Sequence, residues 1–149
     1  VVDPVPLRRQ VAEELGADAT VDPTRCDPIE SVQEITKGGG NLVVECSGHA
    51  DSLTNVFQYA RDEGCVSMVG INIGQKIPVE LGKIQTKNLS VRGTIGSPGI
   101  WPDAVRFLER TGTNLSPIQT HHFGLDDAVK AFELGKKPNL AVKVTLKIG

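Results

Sequence analysis

A chain of 149 residues has room for one domain with a useful core. With 39% hydrophobic and 23% charged residues it is ordinary globular material, which excludes disordered and fibrous classes. Its 16 basic and 18 acidic residues leave a formal charge of -2, so there is no electrostatic case for nucleic acid or an anionic membrane as partner.

Val1-Val2 reads as the end of a buried strand, closed by Asp3-Pro4. Pro6 to Leu15 places Leu7, Val11 and Leu15 four apart on one helical face, and Gly16 is a natural stop. Ala19 to Val21 is a short strand closed by Asp22-Pro23. Pro28 to Thr36 is a helix that runs into Gly38-Gly39-Gly40. Leu42-Val43-Val44 is a compact strand ending at Glu45-Cys46-Ser47-Gly48. Asp51 to Ala60 returns to helix, with Leu53, Val56, Phe57 and Ala60 on one face. Cys65 to Ile71 is a buried strand, and Leu89 to Ile95 an alternating one, broken by Gly96-Ser97-Pro98-Gly99. Pro102 to Arg110 and Asp126 to Leu134 are helical, and Ala141 to Ile148 closes the chain as a strand. Short apolar strands separated by helices predict an α/β fold, a parallel sheet with helices on both faces. The alternation weakens after Gly96, so a boundary is expected there.

No apolar run approaches the roughly 20 residues that span a bilayer, and the first residues lack a signal-peptide pattern. Three widely spaced cysteines, Cys26, Cys46 and Cys65, make no disulfide framework, so a reducing cytoplasm is the expected home. With His49, His121 and His122 they form no metal-ligand spacing, and no zinc site is expected here.

The run Val2-Asp3-Pro4, then Arg8, then Glu14-Leu15-Gly16-Ala17-Asp18 resembles the medium-chain, zinc-type alcohol dehydrogenase family. So do Val44-Glu45-Cys46-Ser47-Gly48, Gly64-Cys65-Val66-Ser67-Met68-Val69-Gly70 and the closing Ala141-Val142-Lys143-Val144. The resemblance covers essentially the whole chain. It implies a Rossmann-type doubly wound sheet in the order 3-2-1-4-5-6, of which these residues supply every strand but the central first one. The glycine-rich phosphate turn would precede Val1. On this expectation residues 1–96 form an incomplete NAD-binding domain, and residues 97–149 are a segment that in the family returns to the catalytic domain. Strands two and three would then be parted from strands four to six by an empty position about 4.8 Å wide.

The implied activity is hydride transfer between NAD and an alcohol or polyol, with zinc held by the absent domain. This chain is then assigned cofactor contacts and no catalytic residue, and is expected to be inactive alone. A zinc-free quinone or enone reductase and a non-catalytic dimerising module are the rival readings.

By resemblance Asp3 accepts the ribose hydroxyls and favours NAD over NADP, while Arg8 lies against the same ribose. The plainer alternative makes Asp3 a helix cap and Arg8 a solvated charge. The turn Cys46, Ser47, Gly48 runs under the adenosine and nicotinamide-ribose side. A nucleophilic Cys46–His49 pair is the sharper rival there, and a buried inert cysteine the commoner case. Val69, Gly70 and Ile71, with Thr94, Ile95 and Gly96, cradle the nicotinamide through backbone groups, and Lys143 reaches the pyrophosphate. Trp101 is a candidate wall of the substrate pocket. A homodimer is expected through the 89–95 strand edge, the alternative being a monomer whose edge is guarded by Lys87 and Arg92.

Overall fold

Pro6 opens helix α1, Pro6–Glu14, at a position where its missing N–H has no helical partner to lose. Val11 faces inward and Gly16, at φ +95°, turns the chain beyond the helix. The computed structural model describes residues 1–96 and 99–149, so Ser97 and Pro98 of the expected break lie outside the described residues. The chain falls into two units, Val1–Cys26 with Gly99–Gly149, and Asp27–Pro98.

In the first unit the strand expected over Ala19–Val21 shrinks to one parallel bridge, Val2 to Val21. Val21 N–H donates to the Val1 carbonyl at 2.8 Å and Asp3 N–H to the Val21 carbonyl at 3.2 Å. Pro4 and Pro23 lack the donors that would extend the ladder.

The second unit starts with helix α2, Pro28–Thr36, whose first turn is capped by the Asp27 carboxylate accepting from Ile29 and Glu30. Strand β1, Gly40–Glu45, leads into helix α3, Ala50–Asn55, and a 3₁₀ turn, Val56–Gln58. Strand β2, Ala60–Met68, helix α4, Gly82–Thr86, and strand β3, Ser90–Gly93, complete the unit. The three strands pair in parallel in the order β1-β2-β3, with Leu42 beside Cys65 and Cys65 beside Ser90. Alternation along the strands sends Val43, Val66 and Met68 to one face, where they meet Val56, Phe57, Ala60 and Leu89. The opposite face, carrying Leu42, Val44 and Arg92, is exposed. A shallow hollow crosses that face between Leu42, Cys65 and Arg92.

Ala60 belongs to β2 rather than to a helix running from Asp51. Lys87 supplies the reason. Its ammonium donates to the carbonyls of Phe57, Gln58 and Ala60, at 3.3, 3.4 and 2.6 Å, and so ends the helical turn. Lys87 is therefore turned inward and does not guard a sheet edge.

Back in the first unit, helix α5, Trp101–Thr111, ends at the left-handed Gly112. Strand β4, His121–Gly124, pairs in parallel with strand β5, Val144–Lys147, and helix α6, Ala128–Gly135, follows a 3₁₀ turn between them. Ala131 and Ala141 are buried there. The final strand is thus shorter than the alternation over 141–148 predicts, and β4 carries one large apolar residue, too little pattern to be read from sequence. Among the described residues no helix is long and apolar enough to cross a membrane.

Candidate functional site

Parallel strands all point their carboxyl ends one way, so the turns that leave β1, β2 and β3 share one edge of the sheet. Backbone bonds tie them together. Val69 N–H and Gly70 N–H both donate to the Glu45 carbonyl at 2.8 Å, and Thr94 N–H donates to the Met68 carbonyl at 2.9 Å. Asn72 Nδ2 donates to the Gly48 carbonyl at 2.7 Å. The expected residues Cys46, Ser47, Gly48, Val69, Gly70, Ile71 and Thr94 are brought into this linked set, with Ile95 and Gly96 following directly.

The set is crowded where glycines occur. Gly48 sits at φ +63°, and a Cβ there would come within 2.7 Å of the Ile71 carbonyl oxygen. A Cβ on Gly70 would collide with Gly48 N and the Glu45 carboxylate. Around this backbone the surface is apolar, with Val69, Ile71 and Ile95 exposed at 40%, 61% and 76%.

Beneath the turn lies Glu45, only 4% exposed. Its carboxylate accepts from Ser47 N–H at 3.0 Å, from the Ser47 hydroxyl, from Gly48 N–H at 3.1 Å and from the Ser52 hydroxyl at 3.0 Å. Burial on its own would raise its pKa, but the bonds from Ser47, Gly48 and Ser52 outweigh it and bring the value below the ordinary one. Sequence reading stopped one residue short of this group. The signal was a charged residue closing an apolar strand directly before small hydrogen-bonding residues.

Cys46 is exposed, not buried as expected of an inert cysteine. Desolvation of the thiol against the turn, and then the Glu45 charge, push its pKa up. That is the opposite of what a nucleophile needs. His49 Nδ1 lies 3.8 Å from Asp51 at the surface.

In the first unit, Asp3 Oδ1 accepts from Val5 N–H at 2.8 Å, a turn that leads into α1 rather than a cap, since Val5 holds the N-cap position and no side chain bonds there, while Oδ2 lies 3.7 Å from Arg8. Arg9 donates to the Asp3 carbonyl at 2.7 Å and pairs with Asp22 at 2.8 Å, bracing the bend from the other side. Lys143 is exposed just before β5, its carbonyl taken by His121 N–H and the Thr120 hydroxyl. Among the described residues no three His, Cys, Asp or Glu side chains gather as metal ligands do, so the residues present do not fit zinc.

A parallel α/β sheet with a linked set of turns at its carboxyl edge is the working part of a partial Rossmann-type domain. Residues 1–110 match the family described as zinc-binding dehydrogenase, and the chain belongs to that family. Sorbitol dehydrogenase of Rattus norvegicus is 29% identical over 150 residues, 99% of this chain and 42% of that enzyme. L-threonine 3-dehydrogenase of Pyrococcus abyssi is 34% identical over 139 residues, 90% of this chain and 40% of that enzyme. A zinc-binding dehydrogenase from Sinorhizobium meliloti 1021, solved bound to NADP, superposes with a TM-score of 0.83 at 26% identity, over 97% of this chain and 43% of the other. This chain therefore spans less than half the length of each of these relatives.

Proposed function

We propose that this chain is the NAD-binding part of a zinc-dependent dehydrogenase that moves a hydride between NAD and the hydroxyl of an alcohol or polyol. The observation that carries the reading is the linked set of turns at the ends of β1, β2 and β3, in a chain of the zinc-binding dehydrogenase family. Sorbitol and L-threonine dehydrogenases among the relatives favour a small hydroxyl-bearing substrate.

The residues suit a dinucleotide. Gly48 and Gly70 leave bare backbone where a side chain would collide, and Val69, Ile71 and Ile95 offer apolar surface for a flat ring. Thr94 and Gly96 continue that backbone, and Cys46 and Ser47 floor it. Asp3 keeps Oδ2 for ribose hydroxyls after Oδ1 has accepted from Val5 N–H, and its charge opposes a 2′-phosphate. Arg8, beside that oxygen, tempers the opposition. Lys143 is assigned to the pyrophosphate as a point charge. Bound NAD supplies the hydride acceptor, and the protein supplies binding and orientation.

Zinc, which the described residues do not fit, is assigned to ligands outside them, and this chain alone is expected to turn over no alcohol. Domain roles follow the same reading, with residues 1–96 serving the cofactor and residues 97–149 returning to a catalytic domain. Every residue of β3 is exposed and among the described residues the strand pairs with β2 alone, which supports a homodimer through that edge. The cytoplasm is the proposed location.

A fluorescence titration of the chain with NADH, repeated with NADPH and with Asp3→Ala, tests the reading. Saturable NADH binding, weaker for NADPH and for the variant, is expected. A folded chain that binds neither nucleotide would confine the cofactor reading to the intact parent enzyme.

A further inference from the structure

We propose that Glu45 is the positioning residue of the turns at the carboxyl edge of the sheet, an internal anion that holds in place the backbone on which the nicotinamide side of the cofactor rests. This rests on the NAD-binding reading above.

Glu45 is the one buried charged residue among those described, and no ion pair to a Lys, Arg or His is formed by it. A carboxylate taken out of water without a cation is expensive to keep. What compensates it here is the turn itself, through two backbone N–H groups and two serine hydroxyls. A chain reversal needs no such group. Its presence sets a particular backbone path.

One residue also reaches both neighbouring turns. The Glu45 carbonyl receives Val69 N–H and Gly70 N–H, so its main chain holds the turn after β2. Its side chain holds the turn after β1, and Gly70 lies against the carboxylate with no room for a Cβ. Asn72 then closes the loop by binding the Gly48 carbonyl. With Ser47 N–H and Gly48 N–H already donating inward, these turns have few N–H groups left for a phosphate. They suit an uncharged ring and its carboxamide instead.

The negative charge is central to this role. A glutamine at position 45 keeps one acceptor oxygen but turns an amide NH₂ toward Gly48 N–H, a donor against a donor, where the carboxylate accepts. The groups touching the carboxylate (Ser47, Gly48, Ser52 and Gly70) do not titrate. Cys46, next in the chain, carries a thiol whose pKa is raised by desolvation and then by the same charge, and the His49–Asp51 pair lies exposed at the start of α3. Because the Glu45 pKa is lowered by folding, its anchoring is complete above the ordinary glutamate range and is lost as pH falls through the lowered folded value.

The test is amide hydrogen exchange of the unliganded chain by NMR, paired with NADH titration, for wild type, Glu45→Gln and Ser52→Ala. Glu45→Gln should cut protection at Ser47 and Gly48 about tenfold or more, the loss expected for one charge-assisted hydrogen bond, while Val43 and Val66 in the core keep theirs. Ser52→Ala should do the same to a smaller degree, and it stands in should the first variant not fold. NADH affinity should fall in step. Wild-type protection should also drop on acidification toward the Glu45 titration, with the glutamine variant flat.

Unchanged exchange at Ser47 and Gly48 would overturn the proposal, as would equal loss throughout the core. Looser turns with unchanged NADH affinity would overturn the positioning role and leave the cofactor reading intact. A wild type that binds no NADH would withdraw cofactor binding from this chain, and this role with it.

Discussion

Asn72 donates from Nδ2 to the Gly48 carbonyl at 2.7 Å, joining the turn after β2 to the turn after β1 across 24 residues of sequence. Its Oδ1 is buried and meets no donor among the described residues. The two ends of one amide therefore act in opposite directions. A satisfied bond contributes about 1 kcal/mol, and an unmet buried acceptor costs about 1–3 kcal/mol. Asn72→Ala removes both, so its net effect should stay near or below about 1 kcal/mol. Asn72→Asp removes the donor and adds a second acceptor beside Gly48, and should cost about 2–3 kcal/mol. Urea midpoints of the two variants decide the point, and an aspartate variant as stable as the alanine one would show that the bond is idle.

Lys87 supports a second prediction. Its ammonium gathers three carbonyls where the 3₁₀ turn gives way to β2, the closest being Ala60 at 2.6 Å. Ala60 is fully buried, so no water replaces a lost donor there. Lys87→Met keeps the stem and removes the charge, and should lower stability by about 1.5–3 kcal/mol. Thermal melts should show Lys87→Arg recovering part of that loss. A methionine variant that melts with the wild type would contradict the carbonyl-capping role.

Much of this arrangement was legible in the sequence. The start of α2 was marked by Pro28 and its end by the glycine run, because both residue types act on the backbone locally. β1 and the core half of β2 were plain from continuous apolar runs. The misses have non-local causes. Ala60 shares a helical face with Leu53, Val56 and Phe57, and only a lysine 27 residues later takes it into a strand. The Ala19–Val21 strand was limited to one bridge by prolines on both partners. At the site, glycine and turn positions were readable because backbone crowding demands them. Glu45 was missed because a carboxylate bound by its own turn has no charge partner to betray it.

Asp3 joins two roles that one substitution separates. Oδ1 accepts from Val5 N–H in the turn before α1, and Oδ2 faces Arg8 and, under the proposed reading, the ribose. Asp3→Asn keeps the turn-forming oxygen and should leave stability within about 0.5 kcal/mol. It removes the charge that opposes a 2′-phosphate while Arg8 remains. NADPH affinity should therefore rise relative to NADH, read by parallel fluorescence titrations. If the ratio does not move, Asp3 serves the turn alone.

Cys46 is exposed, yet desolvation and the Glu45 charge both favour its neutral thiol. Each pH unit by which the pKa is raised leaves about tenfold less thiolate at neutral pH. In a chain whose Cys26 and Cys65 are replaced by serine, iodoacetamide should alkylate Cys46 more slowly than N-acetylcysteine at pH 7.5. The rate should reach half its plateau at a higher pH than for the free thiol. His49 offers no help, since its ring lies toward Asp51. Alkylation as fast as the free thiol at pH 7.5, lost in His49→Ala, would revive the nucleophilic pair and with it a different chemistry for this turn.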